Sequence, residues 1–156
     1  MNLFGSQFDV IVIGGGHAGA EAALASARMG VATLLITSCR EAIARMPCNP
    51  SIGGLAKSHL VYELDALGGE MGRNADETAL QAKILNLSRG PAVWATRAQC
   101  AKREYAQRMQ AVISRQPNLV VIEDAAVGIV TDSTGARAVE TSGHGLYAAK
   151  AIVVTS

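Results

Sequence analysis

The first 37 residues contain the feature that most constrains the fold: a strand, a run of glycines, an alanine-rich helix and a second strand. Residues 8–13 alternate in hydrophobicity and end at glycine, which predicts a buried parallel strand. Residues 18–29 predict a helix that ends at Gly30, and residues 32–37 predict the next strand. Together they form a βαβ unit, which is right-handed in nearly all known sheets.

The turn between the first strand and the helix has the spacing G-x-G-x-x-G, at Gly14, Gly16 and Gly19. The first glycine permits a tight turn, the second lets the backbone approach a pyrophosphate, and the third lets the helix pack against the strand. Backbone N–H groups at the start of the helix then face the phosphates. The predicted dinucleotide contacts are Gly14, Gly15, Gly16, His17, Ala18 and Gly19.

The end of the second predicted strand lacks the acidic side chain that usually holds the ribose of a dinucleotide. Thr37 occupies this position, and its hydroxyl and that of Ser38 are candidates to hydrogen-bond a ribose. The missing acid weakens the case for NAD more than that for FAD, because a flavin dinucleotide extends further and takes contacts elsewhere. His17 is either a polar residue at the helix start or a contact to cofactor or substrate.

The rest of the chain extends an α/β fold. With 156 residues, 49% of them hydrophobic and 17% charged, the chain can form one sizeable core, and one domain over residues 1–156 is predicted. The further predicted elements are an ordered loop at 38–54, helices at 55–67, 80–87 and 97–115, a strand at 119–123, and a meander of strands at 126–132, 136–141 and 147–154 with its first turn at 132–135. The fold class is therefore α/β, with a parallel sheet, helices and a β-meander.

Charge and cysteine content exclude several classes of protein. A net charge of +1 does not indicate a general nucleic-acid binder, so any such binding needs a local patch. The N-terminal apolar stretch lacks a basic segment and is interrupted by three glycines, which excludes a signal peptide and a membrane span. The three cysteines form no C-x-x-C and no group with histidines, so we expect free thiols, a reducing cytoplasm and no metal site.

A proline- and glycine-rich loop surrounds Cys48 and precedes the second predicted helix. A nearby helix N-terminus and Lys57 form an environment that stabilises a thiolate, so a reactive thiol is one interpretation. A buried cysteine that fills the loop is the other. A redox disulfide is disfavoured, because the position five residues further on is Gly53.

Seven segments of the sequence together resemble one protein family. They are G-G-G-H-A-G-x-E-A-A from residue 14, A-R-M-G from 27, C-N-P-S-I-G-G from 48, K-x-H-L-V from 57, E-L-D-A-L-G-G-x-M-G from 63, I-L-N-x-S-R-G-P-A-V from 84 and A-T-R-A-Q from 95. This combination closely resembles the N-terminal part of the GidA/MnmG family. The resemblance implies a Rossmann-like FAD-binding domain of an enzyme that modifies C5 of the wobble uridine in tRNA.

The resemblance also implies the rest of the chemistry. Family members take a one-carbon unit from methylene-tetrahydrofolate and reducing equivalents from NADH, and they work with the GTPase MnmE. The product carries a carboxymethylaminomethyl or aminomethyl group. A cytoplasmic homodimer with no membrane attachment is the implied assembly.

Site residues follow from the resemblance by position. The glycines of the turn would hold the FAD pyrophosphate, and Thr37 agrees with a family that lacks the usual ribose-binding acid. Cys48 resembles the family's proposed catalytic thiol, with Lys57 in the same region. His59 is implied to line the same region as Cys48 and Lys57. The implied flavin contacts of the cysteine loop are Asn49, Gly53 and Gly54, and the implied neighbours of flavin or RNA are Asn86, Arg89 and Arg97.

Basic residues are concentrated between positions 97 and 115, where five of them accompany one acid, Glu104. This segment is either a patch that meets tRNA phosphates, through Arg97, Arg103 and Arg108, or a solvated helix face.

The sequence departs from the family pattern in two ways. Ser58 replaces a usual glycine, Tyr62 a lysine, Ala82 a phenylalanine and Ala101 an aspartate. Family members are also several hundred residues long, so the chain is interpreted as an N-terminal portion that is incomplete as an FAD-binding domain. The alternatives are a noncatalytic nucleotide-binding fragment and the related folate- and FAD-dependent tRNA uridine methyltransferases.

Overall fold

The computed structural model describes residues 7–133 and 135–155. The elements in chain order are β1 (Gln7–Ile13), α1 (His17–Arg28), β2 (Thr33–Thr37), β3 (Ser51–Gly53), α2 (Ser58–Ala66), α3 (Met71–Thr78), β4 (Ala79–Leu85), β5 (Ala95–Cys100), α4 (Lys102–Arg115), β6 (Leu119–Glu123), β7 (Ala126–Asp132), β8 (Gly135–Thr141) and β9 (Leu146–Val154). Short 3-10 turns lie at Arg40–Ala42 and Pro91–Val93. The sequence predicts one domain over residues 1–156, and the contacts within the chain divide it into two compact units.

The first unit, Met1–Ala44 with Gln110–Ser156, is an α/β layer around a six-stranded sheet. Its strand order is β6-β2-β1-β9-β8-β7, in which β6, β2, β1 and β9 are parallel and β9, β8 and β7 form an antiparallel meander. The predicted parallel sheet and meander are confirmed. The predicted turn at 132–135 joins β7 to β8, and its residue Thr134 lies outside the described residues.

The core of the first unit explains why the βαβ unit could be predicted from the sequence. All five residues of β2 are buried, which matches an apolar strand covered on both faces. Helix α1 packs through small side chains, and Ala20, Ala23 and Ala27 are buried. Their small volume lets the helix lie close to the sheet. The main buried cluster comprises Phe8, Ile11, Leu34, Ile36, Val139, Tyr147 and Ala149.

The second unit, Arg45–Met109, contains a small antiparallel sheet with the order β3-β5-β4. The predicted helix at 80–87 is wrong, because residues 79–85 form strand β4 and pair with β5. Ala, Leu, Gln and Lys favour helices in isolation, but pairing with a neighbouring strand outweighs that weak preference. Side chains along β4 are almost all exposed, so no alternation of apolar and polar residues revealed the strand.

Two predicted helices in the second unit begin later than expected. Residues 95–100 form β5, and α4 begins only at Lys102, so Arg97 and Ala98 lie on a strand. Helix α2 begins at Ser58, whereas position 55 was predicted, and ends before Gly68, whose φ is +86°. The predicted loop at 38–54 contains the short strand β3. Within the described residues, the structure contains no helix with the length and apolar character that a bilayer crossing requires.

An ion-pair network holds the part of α4 that belongs to the second unit. The Arg108 guanidinium donates to the Glu70 carboxylate at 2.7 Å and, through Nε, to the Glu77 carboxylate at 2.6 Å. Glu70 is almost fully buried, with a side chain that is 5% exposed. Hydrogen bonding from Arg108 lowers the pKa of Glu77, and the two carboxylates raise the pKa of Arg108. The network therefore favours a structural role for Arg108.

Replacement of Arg108 by methionine is expected to lower the free energy of unfolding by about 2 kcal/mol, because it leaves the buried Glu70 carboxylate without this cation. Arg103→Met is the matched control, since Arg103 lies exposed on the same helix and has no ion pair in the described residues. Chemical denaturation of both variants measures the difference. Equal stability of the two variants would contradict the structural role.

A second stability prediction concerns Ser58, which is 2% exposed. Its hydroxyl has no hydrogen-bond partner among the described residues. Ser58→Ala is expected to raise the free energy of unfolding by about 1 kcal/mol, because a buried hydroxyl without a partner destabilises the fold. Thr78→Val is the control with the opposite expected sign, since the Thr78 hydroxyl donates to the Asn74 carbonyl at 2.7 Å. Destabilisation by Ser58→Ala would show that the hydroxyl is bonded in solution.

Candidate functional site

The glycine turn of the first unit has the conformation that its sequence demands. Gly14 has φ +106°, a region that disfavours any side chain. A Cβ at Gly19 would lie 1.8 Å from the Gly14 carbonyl oxygen, so helix α1 needs glycine there to approach β1. Among the described residues, a Cβ at Gly16 would meet no atom within 4 Å. The space beside Gly16 is therefore open to a ligand, which fits the close approach of a pyrophosphate.

Backbone N–H groups at the start of α1 are available to such a ligand. No side chain caps this helix end, and its first turn contains no acidic residue. The Ala20 N–H donates to the Gly16 carbonyl at 2.9 Å, whereas the N–H groups of Ala18 and Gly19 have no partner in the described residues. Because these donors lie at the positive end of the helix dipole, they suit an anion.

Two threonines support the turn from neighbouring strands. Thr37 is buried, its hydroxyl donates to the Cys39 carbonyl at 3.2 Å, and a Cβ at Gly15 would lie 2.6 Å from that hydroxyl oxygen. Thr155 follows β9 and donates through its hydroxyl to the Ile13 carbonyl at 2.9 Å. Thr155 is not among the residues predicted from the sequence, because the pairing of β9 with β1 brings it beside Gly14.

Acidic side chains are present on the strand beside Thr37. Glu123 pairs in register with Thr37, and its carboxylate accepts a hydrogen bond from the Arg40 N–H at 2.7 Å. The Asp124 N–H donates to the Thr37 carbonyl, while the Asp124 carboxylate accepts from the Ser142 hydroxyl at 2.6 Å. This hydrogen bonding lowers the pKa of Asp124 to about 2. Asp124 therefore remains ionised and ties the end of β6 to the turn after β8.

His17 is the first residue of α1 and is half-buried. Burial lowers the pKa of His17, so the neutral imidazole is favoured at physiological pH. A neutral ring beside the glycine turn offers hydrogen bonds without adding a positive charge.

The second unit holds a cavity of about 620 Å³, a size that suits a small organic ligand. Gly53 and Gly54 lie in its wall with φ +82° and +101°, a region that favours glycine. A Cβ at Gly53 would lie 2.3 Å from the Thr96 carbonyl oxygen, whereas one at Gly54 would meet no atom within 4 Å in the part of the chain that the structure describes. Gly53 thus permits β3 to pack on β5, and Gly54 leaves backbone open. Asn49 also lines this cavity.

The predicted catalytic pair is only partly brought together. Lys57 occupies the N-cap position of α2 and lines the cavity. Cys48 is exposed in the loop before β3 and does not line that cavity, although its neighbours Pro47 and Asn49 do. The alternative of a buried, loop-filling cysteine is therefore wrong. Cys100 is the buried thiol of the chain, and burial raises its pKa.

The three candidate RNA-binding arginines lie in different environments. Arg97 is half-buried on β5 and lines the cavity. Arg103 is exposed on α4. Arg108 is held by Glu70 and Glu77, so its guanidinium is the least available of the three.

Comparison with known proteins identifies relatives over almost the whole chain. The family model described as glucose inhibited division protein A matches residues 9–156. The tRNA uridine 5-carboxymethylaminomethyl modification enzyme MnmG of Synechocystis sp. is 52% identical over 154 residues, which cover 98% of this chain and 24% of that protein. The chain thus spans about a quarter of the length of the curated relatives that it matches.

Solved structures agree with the sequence matches. The structure of Aquifex aeolicus GidA is 47% identical, with a TM-score of 0.92 over 96% of this chain and 25% of that chain. The GidA-related protein of Thermus thermophilus, at 17% identity, has a TM-score of 0.62 over 95% of this chain and 52% of that chain and shows the likeness of fold alone. The matches in sequence and structure both place the chain in one group: it belongs to the glucose inhibited division protein A (GidA) family.

Proposed function

We propose that this chain is the FAD-binding region of an enzyme that modifies the wobble uridine of tRNA at C5. The product would carry a carboxymethylaminomethyl or aminomethyl group, installed together with a GTPase of the MnmE type. The observation that carries the proposal is the glycine turn, which is shaped for a dinucleotide pyrophosphate in a chain 52% identical to an MnmG enzyme.

The first unit would hold FAD through the turn at residues 14–19. The N–H groups of Ala18 and Gly19 would donate to the pyrophosphate, and the open space at Gly16 would admit it. Thr37 in place of an acid supports FAD over NAD. Bound FAD supplies redox chemistry, with NADH as reductant and methylene-tetrahydrofolate as the one-carbon donor of the complete enzyme.

Cys48 and Lys57 would act on the uracil ring. The Cys48 thiolate would add to the ring, forming a carbon–sulfur bond and moving an electron pair towards C5, which makes C5 nucleophilic. Lys57 would stabilise the negative charge that develops on the ring. The exposure of Cys48 supports this role, because the thiol is accessible to a large substrate.

The remaining parts of the proposal concern partners and location. Arg103 would contact tRNA phosphates at the surface and Arg97 within the cavity, while the internal ion pairs of Arg108 favour a structural role. A homodimer of the complete protein is proposed from the family resemblance. The three free cysteines support a cytoplasmic location.

Nucleoside analysis of tRNA tests the proposal. Cells that lack the full gene are expected to lose the modified wobble uridine, and the full-length protein is expected to restore it. Unchanged tRNA in the deletion strain would overturn the proposed function.

A second candidate applies to the 156-residue polypeptide alone, because it spans about a quarter of its relatives: a noncatalytic nucleotide-binding module. Flavin absorbance of the purified chain, measured alongside its modification activity, separates the two. A yellow but inactive chain supports the module.

A further inference from the structure

A smaller cavity of about 110 Å³ lies in the second unit, beside the small antiparallel sheet. Thr96 and Ala98 of β5 line this cavity, whereas Arg97 between them lines the cavity of about 620 Å³. Successive side chains of a strand project to opposite faces, so the two cavities lie against opposite faces of β5. The smaller cavity is therefore a different site from the one that Lys57 and Arg97 line.

The ionisable groups of opposite sign that would balance each other are absent from the lining of the smaller cavity. Asp65 of α2 and Asp76 of α3 line it, and no Lys, Arg or His of the described residues does so. Neither carboxylate forms an ion pair or accepts a hydrogen bond within that part of the chain. Glu70 and Glu77 of the same unit, by contrast, share the guanidinium of Arg108. Two carboxylates without a cationic partner attract a positively charged group.

A buried hydroxyl group in the same wall lacks a partner. Ser58 lines the cavity and is 2% exposed, and its hydroxyl forms no hydrogen bond with any described residue. A buried hydroxyl without a partner destabilises a protein, so a ligand that bonds to it would remove that cost. This hydroxyl points to a ligand independently of the two carboxylates.

Tyr62 lines the cavity at a position where the family that the sequence resembles usually has a lysine. Its side chain is 55% exposed, and its hydroxyl donates to the Thr96 hydroxyl. Ser58, the replacement for a usual glycine, lines the same cavity. Together the two departures remove a positive charge from this lining and add a hydroxyl group. The lining is therefore a feature of this chain, and it leaves the two carboxylates to a cation from elsewhere.

The size of the cavity and its remaining walls indicate an organic cation. Its volume of about 110 Å³ is well below the roughly 300–1,000 Å³ of sites for drug-sized ligands, so a small head group suits it. Ca²⁺ and Mg²⁺ require about six oxygen ligands, and the described residues contain no group of three or more His, Cys, Asp or Glu that could hold a metal ion. Apolar side chains complete the lining and suit a hydrocarbon stem: Ile52, Val61, Ala75 and Ala98.

We propose that this cavity binds a primary alkylammonium group, with Asp65, Asp76 and Ser58 as its hydrogen-bond acceptors. A primary ammonium has three N–H donors, one for each of these groups, and the apolar wall contacts the alkyl chain. The ring of Tyr62 adds an aromatic group, which also favours a cation. The ammonium belongs either to a free amine or to a lysine side chain of the full-length protein. The inference goes beyond the proposed function and does not depend on it.

Binding of n-butylammonium to the full-length protein tests the proposal, by calorimetry at low salt with n-butanol as the uncharged analogue. The ammonium is expected to bind at least about tenfold more tightly than the alcohol, since charged hydrogen bonds contribute on that order. Asp65→Asn and Asp76→Asn are each expected to weaken its binding about tenfold. Ser58→Ala is expected to weaken it about threefold and yet to raise the melting temperature of the free protein, because the hydroxyl has a partner only in the complex.

Glu63→Gln is the matched control, because Glu63 is exposed on α2 and does not line the cavity. It is expected to leave binding unchanged. Tyr62→Lys brings an ammonium group of the protein to the two carboxylates, so it is expected to abolish binding of n-butylammonium. Tyr62→Gln lacks that charge and is expected to retain most of the affinity. Thermal unfolding of every variant identifies any loss of fold.

A lysine side chain of the full-length protein in the cavity would block the probe. In that case n-butylammonium does not bind, and Asp65→Asn and Asp76→Asn each lower the melting temperature more than Glu63→Gln does. Absence of binding without this destabilisation, equal affinities for n-butylammonium and n-butanol, or a Glu63→Gln defect as large as that of Asp76→Asn would each overturn the proposal. Neither flavin nor tRNA takes part in these measurements, so their result is independent of the proposed function.

Discussion

Gly16→Ala in the full-length protein is expected to lower FAD affinity at least about tenfold while leaving the folded structure as stable as before. Gly16 has φ −68° and ψ −172°, which an L-residue adopts without strain. A methyl group there would meet no atom of residues 7–133 and 135–155 within 4 Å and would instead occupy the space that a pyrophosphate needs. Flavin content after purification and a titration of the apoprotein with FAD measure the loss.

The control is a second glycine of the same turn with the opposite structural sensitivity. Gly19→Ala places a Cβ 1.8 Å from the Gly14 carbonyl oxygen and 2.6 Å from the Thr155 hydroxyl. Because backbone must move to admit it, this variant is expected to lose about 3 kcal/mol of folding free energy together with its flavin. Denaturant unfolding separates the two variants.

Normal flavin binding by Gly16→Ala would contradict the proposed pyrophosphate site. If Gly16→Ala lost as much stability as Gly19→Ala, the space beside Gly16 would be part of the protein core. That result would also contradict a pyrophosphate site there. A variant that keeps its stability but loses FAD binding shows that Gly16 contacts the ligand and is not needed for folding.

The first unit could be predicted from sequence because its signals are local. The strand at 8–13, the glycine turn and the helix after it follow one another along the chain, and each has a distinctive composition. Burial reinforces these local preferences, as the fully buried β2 shows. The meander was equally readable, because turn residues separate its strands.

The second unit could not be predicted in the same way. Strand β4 consists largely of good helix formers, and only its pairing with β5 makes it a strand. Residues 97–100 continue the periodic pattern of α4, so the sequence placed the helix start five residues too early. Pairing between strands is a non-local interaction, so the local sequence of one segment does not predict it.

The candidate site residues show the same difference between local sequence signals and contacts made by distant segments. The glycines of the turn were identified because a local motif encodes them, and the structure gives them the expected backbone geometry. Thr155 was not selected from the sequence, because the pairing of β9 with β1 is what places it beside Gly14. Arg108 was interpreted as a surface cation, whereas its partners Glu70 and Glu77 lie more than thirty positions away in the sequence.

Cys48→Ser in the full-length protein is expected to retain flavin and to lower uridine modification at least about a hundredfold, because a serine hydroxyl is a far weaker nucleophile at neutral pH. The thiol of Cys48 is exposed and lies between two residues that line the cavity. The substitution therefore removes the proposed nucleophile without removing a side chain from the packed interior. Flavin absorbance, thermal stability and nucleoside analysis of tRNA from complemented cells measure the three properties.

Cys39→Ser is the control for general loss of a thiol, because Cys39 is also free and partly exposed but lies in the other unit, after β2. It is expected to keep both flavin and activity. Cys100 is a poorer control, since it is buried and its thiol has a raised pKa. Normal modification by Cys48→Ser would reduce Cys48 to a loop residue, and the nucleophile would then have to come from elsewhere in the complete enzyme. Equal loss in the Cys39 and Cys48 variants would point to damage unrelated to catalysis.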